Sequence, residues 1–231
     1  MKYLRLLIIA VPLIAASTMI LAQDEEPAYI NLRVVTVKPD QLAQWESIMK
    51  ERSEVVKEAG QAFFHIFARQ RGPLDTYLII TPGTTIGGPP TGVPGSESWV
   101  AALRNTLVSQ SLNTLRSYPN TNDSGSVHPG ANFMHARLRT VAAGRNQDYE
   151  AWLTDELVPA LREAEVGDVR VLRSVLGGSP RTWVTLSFVD GWPPTGDNDL
   201  DGRMLARGDA MVVAQTDYFY TFREDLSFTA D

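Results

Sequence analysis

The 231-residue sequence predicts a mixed α+β fold made of two copies of one strand–helix–strand–strand–helix–strand unit, and two observations carry that reading. The first is a stretch used twice. Tyr29 to Ala59 and Phe133 to Glu163 both read as an alternating strand, a short break and an amphipathic helix, at an offset of 133 − 29 = 104. Arg33 and Arg137, Thr36 and Thr140, Val37 and Val141, and Glu46 and Glu150 coincide at that spacing. The second is a pair of loops at the same offset. Gly87-Gly88-Pro89-Pro90-Thr91-Gly92 and Gly191-Trp192-Pro193-Pro194-Thr195-Gly196 agree at five of six positions.

Taken in order, the chain opens on Lys2 and Arg5, then an apolar run from Leu6 to Leu21, with the small Ala22 at a cleavage position. Residues 1–22 therefore read as a secretory signal peptide, the apolar run being shorter than the roughly 20 residues a spanning helix needs. The expected location is exported, periplasmic or extracellular, with no membrane association after cleavage. The remaining 231 − 22 = 209 residues carry 19 basic and 27 acidic side chains. Such an acidic chain without a basic cluster is not built for nucleic acid, where phosphate contacts supply most of the affinity. There is no cysteine, so stability must come from a packed core rather than disulfides.

Ile30, Leu32, Val34 and Thr36 alternate with Tyr29, Asn31, Arg33 and Val35, the period of a strand with two unlike faces. Pro39 opens a helix whose stripe runs through Leu42, Trp45, Ile48, Met49, Arg52, Val55, Val56 and Ala59, and Gly60 closes it. Strands are expected at Phe63 to Arg69 and Thr76 to Thr81 around a Gly72-Pro73-Leu74-Asp75 turn. A Gly/Pro loop then leads to a helix capped by Ser96, and Val108 to Ser117 covers the end of that helix and a fourth strand. Tyr118 to Ala131 has linker composition. The second half repeats this order. A strand at Phe133 to Val141 precedes a helix with Tyr149, Trp152, Leu153, Leu157 and Leu161, kinked at Pro159. Strands follow at Val169 to Val175 and Thr182 to Phe188, then a helix near Gly202 to Ala214 and a last strand at Tyr218 to Arg223.

Each half thus has the ferredoxin-like order βαββαβ, with units expected at residues 23–118 and 132–231 and a linker at 119–131. Two such units, each with a long helix after its first strand, resemble the dimeric α/β-barrel superfamily, which includes antibiotic-biosynthesis monooxygenase-like, haem-degrading and NIPSNAP-like domains. The resemblance implies two sheets facing each other around a cavity. With both sheets in one chain, it implies an intramolecular pseudo-dimeric α/β barrel. Some monooxygenases of that group use an Asn on the first strand, a Trp on the third and a His on the second helix. Asn31 and Trp183 sit on such strands but in different halves, and neither second helix, Glu97 to Val108 or Gly202 to Ala214, contains a His.

If the apolar strand faces pack on the helices, the polar faces look into the barrel. That places Asn31, Arg33, His65, Arg69, Tyr77, His135, Arg137, Arg173 and Trp183 around one cavity. Guanidinium groups grip carboxylates in a planar fork and aromatic walls suit flat bodies, so the expected ligand is a small anionic or aromatic molecule. His65, His135 and Trp183 are the catalytic candidates. Asp197, Asp199 and Asp201 begin like a calcium loop, but Gly208 stands where a bidentate Glu is required. No cofactor is predicted; haem held by one His is the alternative. Three functions stay open: a cofactor-free binding protein, a monooxygenase or haem-handling enzyme of this fold, and a partner-binding protein using the two PPTG loops. A monomer or a homodimer suits each.

Overall fold

The computed structural model describes residues 29–72, 75–83, 96–118, 131–164, 167–189, 200 and 202–230. The signal segment, both PPTG loops, nearly all of the linker and Asp197, Asp199 and Asp201 lie outside them. The first half comprises β1 (Tyr29–Val37), α1 (Leu42–Glu58), β2 (Phe63–Arg69), β3 (Thr76–Gly83), α2 (Ser96–Arg104) and β4 (Leu107–Ser117). The second comprises β5 (Phe133–Val141), α3 (Asn146–Trp152), α4 (Val158–Glu163), β6 (Val169–Leu176), β7 (Thr182–Val189), α5 (Gly202–Asp209) and β8 (Val212–Phe222). A short β9 (Phe228–Thr229) follows and pairs with β2.

All pairings are antiparallel. The order is β2-β3-β1-β4 in the first half and β6-β7-β5-β8 in the second. β4 then pairs with β6, and β8 with β2, so eight strands close into a barrel with no loose end. Closure removes the sheet edges that two separate four-stranded sheets would expose. The halves share even their irregularity: β1 slips against β4 between Thr36 and Val37, and β5 slips against β8 between Thr140 and Val141. The expected pseudo-dimeric barrel is the fold.

Alternation along each strand builds three apolar clusters. Ile30, Leu32, Phe67, Leu78, Ile80, Leu115, Met134, Ala136, Leu172, Val184, Leu186, Phe188 and Tyr220 point inward and fill the barrel. Val35, Val37, Ile66, Tyr77 and Ile79 point outward beneath Trp45, Met49 and Val56 of α1 and Leu103 of α2. Val141, Val169, Val171 and Trp183 do the same beneath α3, α4 and Met204 of α5. The first helix of each half is built differently. α1 runs unbroken for 17 residues. In the second half Pro159 has no N–H to give, and the helix passes through a π turn at Leu153–Leu157, where the Val158 N–H reaches back to Leu153 O. The last strands begin earlier than their sequence suggests. β8 starts at Val212, not Tyr218, and α5 stops at Asp209. Residues 213–217 are exposed on both sides and show no alternation; pairing with β5 makes them a strand.

Candidate ligand cavity

The barrel is solid at one end and hollow at the other. Ile30 and Met134, near the starts of β1 and β5, pack among Ile80, Phe67, Leu186 and Phe188. Further along the same strands, Leu32, Val34, Ala136 and Leu138 line a cavity of about 320 Å³. All eight barrel strands contribute to it. Leu78, Leu115 and Val184 complete an apolar belt, and Arg69, Ser111, Asn113, Ser174, Thr182, Tyr218 and Tyr220 supply the polar groups. The shape and balance are those of a small-molecule site, mostly apolar with a few placed polar groups.

The polar groups are unevenly distributed. Arg69 ends β2, with its guanidinium 4.2 Å from the Tyr218 ring centroid. Tyr220 is its cross-strand partner. Burial pushes the Tyr220 phenol up to about 12, against the pull of Arg69, so at neutral pH it is an O–H donor. The pseudo-symmetric positions on the other wall are Ser174, Leu115 and Asn113, uncharged throughout. Two atoms in this lining, Arg69 Nε and Ser174 Oγ, are buried and have no hydrogen-bond partner among the described residues. A buried N–H on a cation with nothing to bind is costly, on the order of 1–3 kcal/mol, and invites an acceptor. Gly178 keeps the Ser174 side open, since a Cβ there would lie 2.7 Å from Ser174 Oγ.

Of the residues read from the sequence as ligand-binding, Arg69 alone lines this cavity. The expectation of an arginine-lined barrel is corrected: the apolar strand faces, not the polar ones, line the interior. Asn31 points outward, accepting from Thr114 Oγ1 at 2.9 Å and donating to Pro82 O at 3.4 Å. Arg33 lies beside Trp99 of α2, on the side away from the cavity. Tyr77 packs on Trp45 of α1, ring centroids 4.2 Å apart. His135 and Arg137 both bond Asp217 Oδ1 on the outer face, at 2.7 and 2.8 Å. Arg173 faces outward to Glu150, and Trp183 donates to Asn146 Oδ1 beneath α3. Arg173 fails for a specific reason. Phe67 faces Leu78 and Leu172 faces Val184, so the true mate of Arg69 is Ser174, one residue on. A one-residue slip in a strand reverses the face.

The catalytic candidates part company in the same way. His65 does point inward, but at the solid end, where Nε2 meets Thr229 Oγ1 at 2.8 Å and the ring packs with Phe63 and Phe222. His135 stacks on Phe219 at 4.5 Å on the outside. Sequence reasoning missed Tyr218, Tyr220, Ser174, Asn113 and Thr182. The alternation of Tyr218 with Tyr220 was the available signal. Among the described residues, no group of three or more His, Cys, Asp or Glu is placed to hold a metal ion, and no helix is long and apolar enough to cross a membrane.

No family model matches the sequence, and no curated protein matches it. Solved structures do. A proposed monooxygenase from Lactobacillus acidophilus superposes with a TM-score of 0.61 at 12% identity, over 89% of this chain and all of that one. A proposed monooxygenase from Fusobacterium nucleatum gives 0.62 at 12%, over 85% and 92% of the two chains. An anthrone oxidase-like protein gives 0.60 at 13%, over 89% and 94%. Chlorite dismutase from Candidatus Nitrospira defluvii gives 0.55 at 12%, over 87% and 93%. Haem is the cofactor alternative left open by the sequence, and the described cavity lining offers it no histidine, cysteine or methionine. Haem iron takes His, Cys, Met or Tyr as its protein ligand. Of these the described lining offers only Tyr218 and Tyr220, and the Arg69 guanidinium covers the Tyr218 ring. Identities this low speak for the fold alone, and that fold is the dimeric α/β barrel, carried here within one chain.

Proposed function

We propose that this chain is a cofactor-independent enzyme of the monooxygenase type, acting on a flat, mostly apolar molecule with one oxygen that becomes negative during reaction. The observation that carries this reading is the buried Nε of Arg69, which has no partner among the described residues, in a mostly apolar cavity whose described lining holds no other charged group. A guanidinium in a dry site stabilises a developing oxyanion far better than water does. The comparisons support the reading through proteins named as monooxygenases or as anthrone oxidase-like. An anthrone-type ketone has the required chemistry. Loss of one proton from its central CH2 gives an enolate oxygen for Arg69 to hold. The enolate reduces O2, and the CH2 becomes C=O with release of one water. No carboxylate or imidazole lines the described cavity, so the proton passes to solvent water, favoured by pairing of the enolate with Arg69, and is recovered in the water released.

Oxygen uptake with anthrone as the probe tests this. Uptake is expected with the wild type and should fall about 100- to 1,000-fold in Arg69→Met, the range for losing one oxyanion donor. A second reading, binding without turnover, rests on the same cavity. It would appear as an anthrone-induced rise in melting temperature that needs Arg69 but consumes no oxygen. Export belongs to the proposal as well, on the strength of Lys2, Arg5 and the Leu6 to Leu21 run. The N-terminus of the mature protein, read by mass spectrometry after expression in a secreting host, should fall near Gln23.

A further inference from the structure

The cavity wall opposite Arg69 carries a second polar corner, and we infer that Ser174 and Asn113 there form a specificity subsite for a hydroxyl group on the substrate. Ser174 is only 2% exposed, and its Oγ has no hydrogen-bond partner among the described residues. A buried hydroxyl left bare is costly, so the position favours a ligand that completes it. Asn113 reaches the same place from β4. A Cβ built on Gly178, in the turn between β6 and β7, would lie 2.7 Å from Ser174 Oγ and 3.0 Å from Asn113 Oδ1. Glycine leaves that space open to the cavity, which all three residues line.

An oxygen entering beside Gly178 therefore comes within hydrogen-bond reach of both side chains. Ser174 can donate or accept, and Asn113 Oδ1 only accepts. A hydroxyl answers both. A carbonyl or an ether has no proton to give Oδ1, and with Arg69 the one charged group of the described lining, nothing at this corner calls for an anion. The pseudo-twofold explains why the two corners oppose each other. Asn113 pairs with Leu32 as Tyr218 pairs with Ala136, and Ser174 is the mate of Arg69. One corner is charged at Arg69, the other neutral at Ser174 and Asn113, and the apolar belt completes the lining. The substrate class this describes is a flat, largely apolar body with two oxygens. Arg69 holds one as it becomes negative; the other is a neutral hydroxyl at the far end. The inference rests on that role of Arg69, and its test tells the two apart.

The test is fluorescence titration of the whole chain with 2-naphthol and with 2,6-dihydroxynaphthalene, which adds one hydroxyl at the far end of the same flat body. Wild type should bind the diol about 5- to 10-fold more tightly, of which about twofold is the statistical share of its two equivalent ends. Ser174→Ala should reduce the preference to about that twofold. Its melting temperature without ligand should not fall, because the hydroxyl it loses bonds nothing in the described structure; a purely structural serine would not behave so. Gly178→Ala, whose methyl fills the open space, should reduce the preference in the same way. Arg69→Met should weaken both ligands and keep the preference. A diol bound no more than about twofold better by the wild type, or a full preference surviving in Ser174→Ala, overturns the subsite and leaves Arg69 its role. Arg69→Met binding both ligands as the wild type does overturns the role of Arg69 and not the subsite. Failure of the wild type to bind either ligand overturns both.

Discussion

β1 and β5 hold equivalent places in the two halves, yet their outer faces solve the same electrostatic problem in opposite ways. Arg137 faces Asp217 across the strand pair, and Arg33, at the same position, faces Leu112. In the second half the charges are neutralised locally. Asp217 takes His135 and Arg137 on one oxygen and Gln215 on the other. In the first half Leu112 is 47% exposed and contributes no charge, while the cation turns under α2 to an aromatic ring. Pairing and bulges are the same in both halves. Backbone symmetry is therefore maintained by closure of the barrel, while side-chain chemistry on each outer face is free to diverge. The inner face diverges too: Arg69 and Tyr220 on one wall stand opposite Ser174 and Leu115 on the other.

The largest effect should come from a packing exchange between the halves. Ile48 and Leu103 share the first outer cluster, and their counterparts in the second half are Trp152 and Gly208. A large helix residue faces a small one in place of two middle-sized ones. A Cβ on Gly208 would overlap the Trp152 ring, which is fixed by its Nε1 bond to Met204 O. Gly208→Leu should therefore lower stability by about 3 kcal/mol, the upper end for overpacking. Adding Trp152→Ile, which recreates the pairing of the first half, should recover most of the loss. Urea unfolding of the three variants measures it. A double variant no better than Gly208→Leu would mean the halves do not exchange packing solutions.

A middling effect is expected from making the second half electrostatically like the first. Asp217→Leu leaves Arg137 and His135 without their shared acceptor. With Arg137 39% and Asp217 30% exposed, water replaces much of the interaction. The loss should be about 1 kcal/mol, read as a shift in denaturation midpoint with an unchanged slope. A loss of several kcal/mol would show that the cluster behaves as a buried network and that the comparison with Arg33 is unfair.

These contrasts also explain what the sequence could tell. The halves, the strands of the first halves of each unit and the closed α/β architecture were legible, because period-two alternation and a repeated loop survive without any alignment. Which face looked inward was not. Alternation reports that two faces differ, and in a hollow barrel both are partly apolar: Leu32 and Val34 inside, Val35 and Val37 under α1. The polar residues Asn31, Arg33, His135 and Arg137 looked internal only on the assumption that helices own the apolar face. Arg69 was found for a sound reason, since its strand was given the right face. Arg173 was lost because the offset of 104 lengthens by one residue before β6. The exposed start of β8 was invisible, as no pattern in residues 213–217 marks a strand.

The smallest effect is a pH signature of the Asp217 cluster, and its sign can be worked out. Burial alone would raise Asp217, but hydrogen bonds from Arg137 and Gln215, the Arg137 charge and a bond to His135 hold it below the usual carboxylate range. A carboxyl lowered in the folded state adds stability above its unfolded value of about 3.9, and that stability is lost as pH falls through the folded value. His135 behaves differently. Burial lowers it, while Asp217 pulls it back up by hydrogen bond and charge. The wild type should therefore exceed Asp217→Asn by a margin that widens slightly between about pH 6.5 and 5, as His135 protonates beside the carboxylate. Below about pH 4 the margin should begin to close, as the unfolded carboxyl takes up its proton, and it is gone only once the pH has fallen through the lowered folded value. Asp168, raised chiefly by burial against the pull of Arg170, has the opposite sign, but it is common to both proteins and drops out of the difference. On the order of 0.5 kcal/mol is at stake for so exposed a group, or about 1–2 °C in melting temperature for a chain of this size. Paired melts from pH 3 to 7 resolve that. A margin that stays flat across the range would mean Asp217 is not bonded to Arg137 and His135 in solution, and the two halves would then differ less than their registers imply.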